Sequence, residues 1–122
     1  MPHVILHHSD LDALGLTPDR LVDAVFHGME ASELFDPNDI KVRVVPVSHY
    51  RNGRNNYSFI HAEARIMPGR TPAQKAAMSD LVLSAVQALD TPVASITVEV
   101  SDIDRACYAK AVTQESGVTL KA

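Results

Sequence analysis

The 122-residue chain has no tryptophan, three phenylalanines and three tyrosines, so a core must come from Val, Leu, Ile and Ala. That composition suits helices packed on a sheet better than an aromatic-rich barrel. A single cysteine, Cys107, excludes an internal disulfide and fits a reducing compartment. It has no base beside it in sequence and reads as a small buried residue. No apolar run approaches the roughly 20 residues needed to span a bilayer. The start of the chain lacks the charged and apolar regions of a signal peptide. A basic excess is missing as well: 11 Lys and Arg against 15 Asp and Glu give a net charge of −4, which argues against nucleic-acid binding. The expectation is one soluble, cytoplasmic domain over residues 1–122, with no nucleic-acid or membrane partner.

Residues 2–8, with Val4, Ile5 and Leu6, read as a strand at the start of the chain. Thr17-Pro18 gives an N-cap followed by proline at the first helical position. Leu21, Val22, Val25, Phe26 and Met29 repeat at helical spacing, so a helix is expected over 18–32. Residues 36–39 are a turn, residues 40–47 a second strand, and Asn52-Gly53 a hairpin or loop signal. Residues 57–67 alternate as a third strand, with Phe59, His61, Glu63 and Arg65 opposite Ser58, Ile60, Ala62, Ala64 and Ile66. Thr71-Pro72 opens a second helix, and Gln74 completes a possible capping box. Its buried stripe is Met78, Leu81, Val82, Ala85, Val86 and Leu89. Residues 94–101 alternate as a fourth strand. In the tail, 104–114 is expected to hold a helical turn, and 118–120 a short strand.

The order is therefore β-α-β followed by β-α-β, a loose internal repeat. The expected fold class is α+β: a duplicated β-α-β plan, a four-stranded mixed sheet, two helices on one face and short C-terminal elements. The other sheet face is left uncovered. Val and Ile in all four strands suggest that it is apolar and that oligomerisation covers it.

Many chemistries have no carrier here. There is no phosphate loop, dinucleotide fingerprint or serine elbow. His7 and His8 are adjacent on a strand, face opposite sides and cannot chelate one metal together. His3, His49 and His61 have no metal-ligand spacing, so no metal is expected. Asp102 and Asp104 read as a charged turn, and Arg51 and Arg54 as ordinary loop charges beside Asn52-Gly53.

Several short motifs occur together: Met1-Pro2-His3, Phe59-Ile60-His61, Gly69-Arg70 before a helix, and the alternating strand into Ser101-Asp102-Ile103-Asp104. In order and spacing they resemble the 5-carboxymethyl-2-hydroxymuconate isomerase family of the tautomerase superfamily, over about residues 2–110. The resemblance implies the tautomerase-type fold, a homotrimer, a cofactor-free active site and keto–enol or double-bond migration in an unsaturated dicarboxylic acid. His3 and His61 match the family pattern and read as hydrogen-bonded sheet residues.

The resemblance also gives Pro2 a role. Once Met1 is removed, Pro2 carries a free secondary amine rather than an amide. An α-amino group has a reference pKa of about 7.7–8.0, and burial or nearby cations lower it. Such a base can take a proton beside a carbonyl and return it elsewhere. An anionic substrate needs cations. Arg70, before a helix N-terminus, is a candidate carboxylate clamp. Arg43, on the face opposite Val42 and Val44, is a candidate for binding or polarising the substrate carbonyl. The expected function is a cofactor-independent isomerase in aromatic-compound catabolism, with Pro2 catalytic and Arg43 and Arg70 binding substrate. The competing expectations are a non-catalytic trimeric binding or scaffold protein, and another tautomerase-superfamily activity such as hydration or dehalogenation.

Overall fold

The computed structural model describes residues 1–113. Four strands, β1 (His3–His8), β2 (Lys41–Pro46), β3 (Phe59–Ile66) and β4 (Ser95–Asp102), form one sheet in the order β2-β1-β3-β4. β1 pairs parallel with β2, β3 pairs parallel with β4, and the two halves meet where β1 and β3 run antiparallel. Helices α1 (Pro18–Ala31) and α2 (Pro72–Gln87) are the crossovers of the two halves. The duplicated plan and the mixed sheet are as the sequence implies. Both helices also begin as expected. The Thr17 side chain accepts from the Arg20 amide, and Thr71 with Gln74 forms a complete capping box.

Strand alternation decides what each face carries. Val4 and Leu6 of β1 share a face with Ile60, Ala62, Ala64 and Ile66 of β3, and all six are buried. The stripes Leu21, Val25 and Met29 of α1 and Met78, Val82 and Val86 of α2 belong to the same core, so both helices cover one face. Ala62 and Ala64 of β3 belong to the same buried cluster as Met29 and Met78. Between the helices, Gly28 is in near contact: a Cβ there would lie 3.1 Å from the Leu81 carbonyl oxygen and 3.2 Å from the Ala85 Cβ.

The uncovered face departs from expectation. Its cross-strand rows read Lys41–His3–Arg65–Ser101, then Arg43–Ile5–Glu63–Glu99, then Val45–His7–His61–Thr97. It is mainly polar, because Val42, Val44, Ile96, Val98 and Val100 pack toward the helices instead. The valine and isoleucine content of the strands therefore gives no reason to cover this face.

Three smaller expectations resolve as follows. Asn52-Gly53 lies in a loop rather than a hairpin, because β1 separates β2 from β3. Cys107 is exposed, with its Sγ 3.5 Å from an Asp104 carboxylate oxygen, since only a single 3-10 turn (Arg105–Cys107) forms there and it contributes nothing to the core. The strand expected at 118–120 lies outside the described residues.

Replacing Gly28 by leucine forces the two helices apart. The expected cost is about 1–3 kcal/mol, read as a lower urea midpoint at unchanged m-value.

Candidate active site

β1 is a central strand, and its ladders hold the first residues of the chain. His3 is opposite Lys41 on one side and Arg65 on the other. The Lys41 amide donates to the Pro2 carbonyl at 3.0 Å. Pro2 and Met1 are both buried. The Met1 ammonium donates to the Asp39 carboxylate at 2.7 Å and to the Asp39 carbonyl at 3.1 Å.

Met1 and Asp39 stand on the wall of a cleft of about 530 Å³. The loop from β3 to α2 supplies another wall through Met67, Pro68, Gly69 and Arg70. Gly69 sits at φ +120°, which other residues rarely adopt, and so turns the chain to present Arg70. The Arg70 guanidinium donates to the Leu34 carbonyl and lies over the Phe35 ring, 5.3 Å from its centroid. Two of the amides at the start of α2 are occupied by the capping box: Thr71 N–H donates to Gln74, and Gln74 N–H donates to Thr71. Positive charge at this wall therefore rests on the guanidinium more than on free helix amides.

The segment after β4 closes the cleft with Arg105, Tyr108 and Lys110. Arg105 donates to the Pro68 carbonyl at 3.4 Å, and Lys110 reaches Asp39 at 3.2 Å. Tyr108 Oη is 3.1 Å from His3 Nε2. Of the candidate residues, Pro2 and Arg70 are thus brought to one end of the sheet. Neither Pro2, buried behind Met1, nor Arg43 is among the residues lining the cleft. Arg43 is exposed on the open face, with its guanidinium 3.5 Å from His3 Nδ1. His61 is on the same face, bonded to Thr97 at 2.6 Å, as a sheet histidine would be.

Asp39, Arg105, Tyr108 and Lys110 escape a reading of the sequence alone. Asp39 lies in a polar turn, and the other three lie in a tail without periodicity. The available signal was only that a second and third cation follow the last strand.

Charge in the cleft is strongly coupled. Burial disfavours the charged N-terminal ammonium; the Asp39 hydrogen bond opposes that, Lys41 adds to it, and the net pKa falls below 8.0. Burial would raise the Asp39 pKa, but hydrogen bonds from the terminal ammonium, Lys41 and Lys110 outweigh it. They hold the carboxyl well below the usual carboxylate range. His3 is also lowered, by burial first and then by Lys41 and Arg43, which favours the neutral imidazole. Among the described residues, no cluster of three His, Cys, Asp or Glu could hold a metal ion. No helix among them is long and apolar enough to cross a membrane.

The family model for 5-carboxymethyl-2-hydroxymuconate isomerase matches residues 2–113. The chain belongs to that family. As a 5-carboxymethyl-2-hydroxymuconate isomerase family member it shares its fold with solved structures at low identity. A 5-carboxymethyl-2-hydroxymuconate delta-isomerase superposes with a TM-score of 0.78 at 18% identity, covering 100% of this chain and 95% of the other. A 5-carboxymethyl-2-hydroxymuconate isomerase from Deinococcus radiodurans R1 gives 0.69 at 18%, covering 92% and 90%. A fused 4-OT wild-type symmetric trimer gives 0.72 at 18%, covering 94% and 98%. No curated protein matches by sequence.

In the Met1-bearing chain, Asp39→Asn removes the negative charge shared by three cationic donors and keeps only one acceptor oxygen. The depressed Asp39 pKa stabilises the fold above the ordinary aspartate value of about 3.9, and that stability is lost as pH falls toward the lower folded value. The expected loss is about 1–3 kcal/mol at pH ~7, shrinking toward zero at acid pH. Urea unfolding of both proteins across the pH range checks it.

Proposed function

We propose that this family member is a cofactor-independent isomerase of unsaturated 2-hydroxy or 2-oxo dicarboxylic acids, of the 5-carboxymethyl-2-hydroxymuconate kind, in aromatic-compound catabolism. Residues 1–122 are one catalytic domain, and Pro2 is the base. The observation that carries the reading is the position of the chain's start: it is buried at a cleft whose other walls bear Arg70, Arg105 and Lys110. A proline in second position permits removal of the initiator methionine. Its departure vacates part of the cleft, uncovers the Pro2 nitrogen and releases Asp39 from its ion pair.

The reaction needs no external reagent. Neutral Pro2 accepts the proton of the substrate's 2-hydroxyl group, leaving a dienolate. Its charge spreads along the conjugated chain, and the prolinium returns the proton at a distant carbon, giving the unsaturated ketone. Burial and the nearby Lys41 lower the pKa of the terminal ammonium on Met1, and the same causes favour the neutral amine on Pro2 once Met1 has left. Arg70 binds one carboxylate, and Arg105 and Lys110 neutralise the other. The substrate is a small organic anion, matched by Arg70, Arg105 and Lys110 at the cleft in a chain whose net charge is −4. The trimeric fused 4-OT structures, similar in fold, support a homotrimer. The cytoplasm is the proposed location.

A second reading has one observation in its favour. The Met1 ammonium is well accommodated on Asp39, and a chain that kept Met1 would be a non-catalytic binding protein. Intact-mass measurement separates the two.

Steady-state assays with phenylenolpyruvate and 5-carboxymethyl-2-hydroxymuconate test the mechanism. In the mature protein, Pro2→Ala is expected to lower kcat by about 10²–10⁴-fold, and Arg70→Ala to raise KM. Because the base must be unprotonated, kcat/KM rises with pH along a limb whose midpoint lies below the ordinary amine value of about 8. Undiminished turnover in Pro2→Ala rules the mechanism out.

A further inference from the structure

The dienolate oxygen formed when Pro2 takes the proton needs a hydrogen-bond donor, which the three cations, already engaged with the substrate's carboxylates, do not supply. The contacts around His3 do. Arg43 is a donor only, and its Nη1 lies 3.5 Å from His3 Nδ1. We assign His3 Nδ1 as the acceptor of this long contact, an assignment that places the ring hydrogen on Nε2. That nitrogen is 3.1 Å from Tyr108 Oη, so it donates to the phenol oxygen. The hydrogen of Tyr108 itself is then left for another acceptor. The imidazole is kept neutral by burial and by the neighbouring Lys41 and Arg43 charges, which agrees with this tautomer.

Tyr108 is half-buried and forms part of the cleft wall that also contains Met1 and Asp39. Its ring meets the His3 ring edge-on, 6.1 Å between centroids, so its position is set by packing as well as by the hydrogen bond. Arg43, exposed and away from the cleft, acquires a reason to be where it is.

We propose that Tyr108 is a catalytic residue that donates its phenolic hydrogen to the developing dienolate oxygen, held for that purpose by the chain Arg43–His3–Tyr108. His3 and Arg43 are positioning residues. The proposal rests on the isomerase reading above and adds the donor that reading lacks. No covalent bond to the protein forms. The phenol O–H polarises toward the substrate oxygen while the proton in transit stays with Pro2, and the donor is worth most where charge is greatest, in the transition state.

The test uses the mature protein and phenylenolpyruvate, with Pro2→Ala as the reference. For Tyr108→Phe, kcat is expected to fall by about 100-fold with KM changed by less than about three-fold, as for an interaction made only in the transition state. Melting temperature should be unchanged. Turnover within about two-fold of wild type, while Pro2→Ala is inactive, overturns the Tyr108 role and leaves the Pro2 mechanism standing. An active Pro2→Ala overturns both. A pair of His3 variants decides the matter even if Tyr108→Phe fails to fold. The amide of His3→Gln can accept from Arg43 and donate to Tyr108, whereas His3→Leu can do neither. A kcat for His3→Gln about ten-fold above that of His3→Leu supports the chain; equal values overturn it.

Discussion

The structure depends on β1 being a central strand that begins at the third residue of the chain. Chain termini ordinarily fray, but this one is flanked on both sides. β2 pairs with it in parallel and β3 in antiparallel register from His3 onward. The Pro2 carbonyl extends the ladder by one bond, to the Lys41 amide. Proline suits the first position of a strand because no N–H is needed there. A basic nitrogen at that point inherits the rigidity of the sheet, which is what a base must have to meet a carbon or oxygen at a fixed angle.

The second consequence of that placement is electrical. The start of β1, the turn before β2, the loop after β3 and the segment after β4 all converge at one end of the sheet. Each contributes charge: the terminal amine, Asp39 and Lys41, Arg70, and Arg105 with Lys110. Asp39 balances the ammonium and both lysines in the Met1-bearing chain. When Met1 is gone one positive charge leaves, but Lys41 and Lys110 still pair with Asp39 and Arg70 and Arg105 remain, so the cleft stays cationic and favours an anionic ligand.

Much of the fold was legible because its signals are local. The two Thr-Pro helix starts, the capping box at Thr71 and Gln74, and the clean alternation of residues 59–66 each report on backbone geometry within a few residues. The lateral order of the strands, β2-β1-β3-β4, was not among those signals. What local patterns do not carry is which face a β-branched residue occupies in a sheet covered on one side. Val42, Val44, Val98 and Val100 look the same in sequence whether they face helices or solvent, and here they face the helices. The site was half legible for a similar reason. Pro2 and Arg70 sit in short motifs. Tyr108 and Lys110 reach the cleft by folding back across the start of β1, a contact spanning 105 residues in the His3–Tyr108 case, and no periodicity announces it. Arg43 was recognisable as a residue of interest, but its distance from the cleft and its contact with His3 are products of register.

The central claim is that the nitrogen of Pro2 is a free, weakly basic amine at the cleft. Nitrogen-15 NMR titration of the mature, proline-labelled protein measures this directly. The expected result is one secondary-amine resonance titrating below the reference range of about 7.7–8.0. An amide resonance at Pro2, meaning that Met1 remains, or a midpoint at or above that range, contradicts the claim.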